Sequence, residues 1–252
     1  MPAMKPVQAK VTLVQHTAEP EELIAAAARL CYAERTEDIL RQDPEGAGKF
    51  VAMLKKFGHL SPIEHASFTF LVEGVSRAMT HQLVRHRLAS YSQRSQRYVR
   101  HAEFDYVVPP QLEGKTVQVD GKAADAVAFF RETMELIAKR YQTLSEALGD
   151  SGESSNEDAR YVLPNACETK TFVTMNAREL LHFFEERLCL RAQWEIRGMA
   201  EQMLAAVKKI APNIFAGAGP KCIRAGRCPE GKLTCGRYAE MRRLYGDVPT
   251  AE

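Results

Sequence analysis

The chain lacks both glycine-lined phosphate cradles: no G-x-G-x-x-G follows a strand-like run, and no G-x-x-x-x-G-K-[ST] occurs. "GAGP" at 217–220 is too short and badly placed to substitute. A nucleotide, if one is bound, must therefore meet side-chain cations rather than a row of backbone N–H groups. No run approaches the eighteen or so apolar residues of a membrane span. The opening "MPAMKPVQAKVTLVQH" lacks a leader's apolar stretch and cleavage site, which predicts a cytoplasmic protein with no membrane partner. Internal repeats and long linkers are also missing. What remains, 252 residues with 45% apolar and 26% charged, suffices for a sizeable core.

Six cysteines would suit a disulfide framework only in a small secreted chain, so reduced thiols are expected here. Cys31 and Cys189 fall in apolar helical patterns and read as buried small hydrophobes. Cys222, Cys228 and Cys235, in "CIRAGRCPEGKLTC", lack the C-x2-C spacing of a zinc knuckle. They read as a reduced, turn-rich tail over 221–252 packed on the main body, with no metal; a zinc site is the alternative.

Another absence is local. Between Glu73 and Glu103 there is no acidic residue, while Arg77, Arg85, Arg87, Arg94, Arg97 and Arg100 all lie there. The whole chain carries only +2, so the remainder is net acidic and basicity is concentrated in one place. Two guanidinium groups about 7 Å apart repel by roughly 2 kcal/mol at an effective dielectric near 20. A phosphate reverses this, each charge-assisted hydrogen bond returning roughly 1.5–3 kcal/mol. Arg85 and Arg87 could simply complement the negative pole of a helix end, but Arg94, Arg97 and Arg100 lie too far along. The segment reads as an anion site for more than one phosphate.

Periodicity places the rest. "EPEELIAAAARLCYA" predicts a helix with Leu23, Ala27 and Leu30 on one side, and "GKFVAMLKKFGH" a second ending at Gly58. "ASFTFLVEG" alternates Phe68, Phe70 and Val72 as a strand does, and "FDYVVPP" and "TKTFVTMN" share that character. Ser76 caps a short helix leading into the arginine segment. Val127, Phe130, Met134, Ile137, Tyr141, Leu144 and Leu148 form the core stripe of a long helix, followed by a loop, "SGESSNED". Asn176, with Glu179 three residues on, opens another long helix in a capping-box pattern, and that helix breaks near Cys189. The expected class is α+β: a single domain, residues 1–220 plus the tail, with a central mixed or antiparallel sheet flanked by long helices.

"RHRLASYSQRS", residues 85–95, is Arg-His-Arg, seven residues, Ser, and resembles the signature of flavin-dependent thymidylate synthases. "GHLSPIEHASFTF", "ARYVLP", "NAREL" and "AQWEI" resemble further blocks of that family, in the same order, so the likeness spans roughly residues 20–215. It implies reductive methylation of dUMP to dTMP, with 5,10-methylenetetrahydrofolate giving the carbon, NADPH the reductant, and FAD the hydride. It also implies a homotetramer whose sites are shared between subunits.

Carried over by position, the resemblance puts His59, Ser61, Glu64, Arg85, His86, Arg87, Gln93, Asn176, Arg178 and His182 at the flavin. It puts Gln82, Leu83, Val84, Arg85, Gln93, Arg94, Ser95, Gln96, Arg97, Arg160 and Arg187 at dUMP. Arg187 is the candidate catalytic residue, its cation favouring ionisation at uracil N3. Gln93, Ser61 and His182 stand where some members have an acid, Thr and Asn. Without the resemblance, His182 would read as a core histidine and Arg160 as a surface charge. Arg178 and Arg187 point half a turn apart on one helix, so either the helix breaks first or they serve different ligands or subunits. Ser95, surrounded by arginines, has no base to make it a nucleophile. No Pro-Cys-His occurs, which closes the cysteine route of the folate-only thymidylate synthases.

Two rival readings remain. One is an NADPH-dependent flavin reductase without methyl transfer. The other is an arginine-rich RNA- or phosphate-binding module with Tyr91 and Tyr98 stacking on bases, against which the downstream blocks argue.

Overall fold

The computed structural model describes residues 4–40 and 43–246. They belong to two compact units, each discontinuous in sequence. The first draws on Met1–Lys10, Val72–Arg85 and Ser92–Thr171, the second on Val11–Leu71, His86–Tyr91 and Phe172–Glu252. The strands are β1 (Lys10–His16), β2 (Ser67–Ser76), β3 (Ala89–Gln93), β4 (Thr116–Val119), β5 (Lys122–Asp125) and β6 (Glu168–Asn176). The helices are α1 (Pro20–Arg29), α2 (Thr36–Ile39), α3 (Pro44–Lys56), α4 (Arg77–Leu83), α5 (Ala126–Ala147), α6 (Glu153–Ala159), α7 (Ala177–Arg187), α8 (Trp194–Ile210), α9 (Lys221–Arg224) and α10 (Tyr238–Tyr245). One sheet has the order β1-β2-β6-β3 and the other pairs β4 with β5, so the class is α+β as expected.

In the first unit, α4 starts where Ser76 Oγ accepts the Met79 N–H at 3.0 Å. Phe104, Tyr106, Met134, Ala138 and Cys167 form a core to which Phe130 and Ile137 add. The expected stripe of α5 holds as far as Tyr141, with Met134 and Tyr141 buried and Phe130 and Ile137 packed on the core, and departs from the apolar pattern after it. Its buried series is Met134, Ala138, Tyr141 and Ser145, whereas Leu144 and Leu148 are 40% and 44% exposed. Polar bonds explain the turn: Tyr141 donates to Asn156 Oδ1 at 3.0 Å, and Ser145 to Asp150 Oδ1 at 3.2 Å. "SGESSNED" is accordingly not a loop but contains most of α6, which Ser155 ties to the Leu148 carbonyl at 3.0 Å. "FDYVVPP" makes only isolated bridges at Tyr106, to Pro6 and Cys167, before its prolines end any pairing. β4 and β5 form an unanticipated antiparallel hairpin, with Asp120 and Gly121 both at positive φ in its two-residue turn.

In the second unit, α1 buries Ile24, Ala25 and Ala28 and exposes Leu23 and Leu30, reversing the expected face. Cys31 is exposed and Cys189 half-buried, so neither is the buried hydrophobe anticipated; Cys167, in the first unit, is. Phe68, Phe184 and Phe215 meet edge-on, with centroids 5.4 and 6.0 Å apart. The Asn176 side chain caps α7 by accepting the Glu179 N–H at 2.8 Å. The helix ends at Arg187, and Gln193 then caps α8 by accepting the Glu195 and Ile196 N–H groups. The break thus falls where expected, but only after Arg187, so Arg178 and Arg187 do share one helix and face opposite ways.

Candidate active site

In the first unit the chain leaves α4 through Gln82 and Leu83, whose side chain is in the core, to the exposed Val84 and Arg85. Among the described residues, no acceptor meets the Arg85 guanidinium. Past β3, Gln93 Nε2 donates to Thr80 and Thr169 at 3.1 and 3.2 Å, which fixes its amide. Ser95 Oγ accepts the Arg97 and Tyr98 N–H groups at 3.1 and 3.3 Å and keeps its own O–H to donate. Gln96 turns inward to Cys167 Sγ at 3.9 Å.

The arginines are not left to an external anion alone, as the acid-free segment had suggested. Arg94 Nη2 meets Glu168 Oε2 at 2.6 Å, and Arg97 meets both Glu153 and Glu157 at 2.6 Å. Arg100 meets Asp150 at 2.8 Å. These carboxylates come from 50 or more residues downstream. Pairing is incomplete at Arg94, whose Nε is buried without a hydrogen-bond partner among the described residues, whereas Arg97 Nε faces Glu157 Oε2 at 2.6 Å. Arg94 Nε is a donor still lacking an acceptor. Arg160 lies half-buried, its Nε on the Glu157 carbonyl at 3.1 Å. Beside Arg94 a cavity of about 180 Å³ is lined by Lys5, Arg100, His101 and Glu168.

The second unit carries Arg187. Its Nε–H donates to His86 Nε2 at 2.9 Å. Since that imidazole nitrogen accepts, His86 is neutral with its proton on Nδ1, which stands 3.3 Å from Glu179 Oε1. Burial first, then the Arg187 and His182 charges, push the His86 pKa down to about 4. Burial likewise raises the Glu179 carboxyl above its usual range. Tyr91 O–H donates to the His86 carbonyl at 2.8 Å, and Phe183 meets the imidazole edge-on at 4.9 Å. His86 is therefore buried and fully engaged, a positioning residue for Arg187 more than a surface for a ligand. Glu179 does not complete a capping box; its side chain supports His86 instead.

His59, Ser61, Arg87 and His182 are exposed, and Arg178 pairs with Glu64. Asn176 is already committed to its cap. The exposed members are uncommitted donors of the kind that a dinucleotide's phosphates and ring edges require.

Sequence reasoning missed Glu168, Glu179 and Tyr91. "Glu-three-after-Asn" was visible but pointed to a cap, and nothing local marks Glu168 as the partner of Arg94.

Fold and site together define an α+β protein with arginine side chains clustered along one segment. The family described as "Thymidylate synthase complementing protein" matches residues 12–213, and the chain belongs to it. It is similar to "Flavin-dependent thymidylate synthase" of Geobacter sulfurreducens, 51% identical over 245 residues that cover 95% of this chain and 99% of the relative. A protein of that description in Clostridium tetani is 47% identical over 254 residues, covering 96% and 98%. The fold is similar to the solved structure of a UMP/dUMP methylase PolB from Streptomyces cacaoi bound with 5-Br dUMP. That match has a TM-score of 0.67 and 30% identity, and covers 84% of this chain and 94% of that one.

Proposed function

We propose that this chain is a flavin-dependent thymidylate synthase, converting dUMP to dTMP with 5,10-methylenetetrahydrofolate as carbon donor and NADPH as reductant. Bound FAD supplies the hydride chemistry. The observation that carries the reading is the Arg187–His86 contact: a guanidinium whose Nε–H is oriented by a neutral acceptor. A cation so fixed stabilises the anion formed when uracil N3 ionises. Arg94 Nε, with the Ser95 hydroxyl, supplies unspent donors for the dUMP phosphate and ring, and Arg97 would exchange its carboxylate partners for the phosphate. Gln82, Leu83, Val84, Arg85, Gln93, Gln96 and Arg160 complete that set. For the flavin the set is His59, Ser61, Glu64, Arg85, Arg87, Gln93, Asn176, Arg178 and His182, with His86 acting from behind.

The active form is a cytoplasmic homotetramer whose sites take residues from several chains. One observation supports shared sites: the cavity beside Arg94, at about 180 Å³, is smaller than the roughly 300–1,000 Å³ usual for a ligand pocket.

The test is release of tritium from dUMP labelled at C5, with FAD, NADPH and methylenetetrahydrofolate supplied. A synthase releases label only when the folate is present. NADPH oxidation without release would make the chain a flavin reductase. A colourless protein that takes up no FAD would leave the nucleic-acid reading.

A further inference from the structure

Four of the six cysteines converge, and nothing in the proposed reaction uses them. Cys189, at the α7–α8 break, and Cys222, Cys228 and Cys235 of the tail line one cavity of about 220 Å³. All four are free thiols, with Cys235 at the exposed side. The Thr234 hydroxyl and the Glu230 and Cys235 N–H groups donate to the Cys228 sulfur. Those donors are aimed by tight turns with Gly226, Gly231 and Gly236 at positive φ, where a Cβ would be strained.

The tail needs a further tether. From Lys221 to Gly246, Met241 is its only buried residue. Its ion pairs, Arg191–Glu230, Lys221–Glu186 and Arg224–Glu185, are partly exposed. Such pairs contribute little individually, and a segment without its own core usually relies on a disulfide or a metal.

We propose that Cys189, Cys222, Cys228 and Cys235 ligate an iron–sulfur cluster. Four thiolates and no histidine select a thiophilic centre, either zinc or iron–sulfur. A single zinc at about 2.3 Å from each sulfur would draw the sulfurs to roughly 3.8 Å apart. Among the described residues, no group of three or more Cys, His, Asp or Glu is gathered to hold one ion. The four cysteines instead line a cavity of about 220 Å³, room for a cluster in which separate irons take separate sulfurs. On ligation each thiol releases its proton to solvent as its sulfur bonds iron. Ferrous and ferric iron in equal parts and sulfide come from the medium, so the mixed-valence cluster assembles with no oxidation of the cysteines and no further oxidant.

The test needs neither dUMP nor folate, so its outcome is independent of the synthase reading. The full chain is purified without oxygen, reconstituted with equal parts of ferrous and ferric iron and sulfide, and desalted. Roughly two to four irons per chain with matching acid-labile sulfide are expected, together with a dithionite-induced EPR signal visible only near liquid-helium temperature, unlike a flavin radical. Cys228→Ser and Cys235→Ser should each lose most of the iron while keeping native circular dichroism. Cys31→Ser, outside the cavity, should keep all of it. Trace iron after reconstitution, one zinc per chain in its place, a disulfide among the four, or full iron in Cys228→Ser would each overturn the cluster.

Discussion

The arginines of the first unit and the Arg187 of the second resolve the same problem in opposite ways. Arg94, Arg97 and Arg100 are met by carboxylates at 2.6–2.8 Å. Arg187 is met by a neutral imidazole at 2.9 Å. A carboxylate both orients a guanidinium and cancels its charge, so an arriving phosphate must compete with it. A histidine kept neutral by burial orients without cancelling. The first arrangement suits residues that bind and release a charged substrate; the second suits a residue whose charge is needed at the reacting ring. His86 can play this part only because its pKa is pushed down to about 4, well below working pH.

The comparison breaks most directly at Arg187. Arg187→Ala should lower tritium release from C5-labelled dUMP by about a hundred- to a thousandfold, the usual cost of one electrostatic donor in a reacting site. Flavin content should be retained. Release at the native rate would remove Arg187 from the chemistry and leave the neutral anchor without a purpose.

A step down in size is His86. His86→Ala removes the acceptor that orients Arg187, and misplacing a reacting group by about 1 Å can cost about a hundredfold. His86→Gln keeps an acceptor oxygen and should recover a good part of the rate, which mere loss of packing would not predict. The same residue sets a pH dependence of stability. Its ordinary pKa of 6.5 applies to the unfolded chain and about 4 to the folded one. As pH falls the unfolded chain takes up the proton first. The contribution is therefore complete above pH 6.5 and shrinks as pH drops towards 4, by on the order of 3 kcal/mol in all. Denaturant unfolding across that window should show the slope, and His86→Gln should flatten it.

In the first unit, Arg94→Ala leaves the Glu168 carboxylate buried and short of its cation. Glu168 is 5% exposed and, among the described residues, keeps only the Gly74 N–H at 3.1 Å. Stranding a buried charge costs about 3 kcal/mol, so the urea midpoint should fall and the KM for dUMP should rise. An unchanged midpoint would mean that the pair contributes only as an exposed one does.

How much of this contrast could be read from the chain depends on sequence distance. Helix caps are local, so Ser76 and Asn176 were legible, as was the α7–α8 break; the alternation of Phe68, Phe70 and Val72 gave β2. Long-range pairing was not: the partners of Arg94, Arg97 and Arg100 lie 50 to 74 residues away, and a segment read alone seemed bare of acid. α6 was hidden for a related reason. "ESSNEDA" has poor helix propensity, and Tyr141, Leu148 and Arg97 hold it from outside. The α5 face was legible as far as Tyr141 and was misjudged only at Leu144 and Leu148, where Ser145 turns inward and bonds Asp150 instead. The β4–β5 hairpin, by contrast, went unread although Asp120-Gly121 between alternating residues is a local signal for it. The site residues came from a motif, and the role of His86 behind Arg187 emerged only with the geometry.

The mildest test relieves the competition in the first unit without touching a ligand-facing arginine. Glu153 and Glu157 hold Arg97 at 2.6 Å, with all three side chains 41–47% exposed. Exposed pairs contribute under about 1 kcal/mol to stability, so Glu153→Gln/Glu157→Gln should leave the melting transition nearly unchanged. Removing two anions from beside Arg97 should, however, tighten dUMP binding severalfold at low salt. The gain should fade at high salt, where screening already weakens the carboxylates. If the double variant binds dUMP no better at any ionic strength, the carboxylates are not competitors of the phosphate. Arg97 would then be a brace for α6, and the contrast with Arg187 would rest on Arg94 alone.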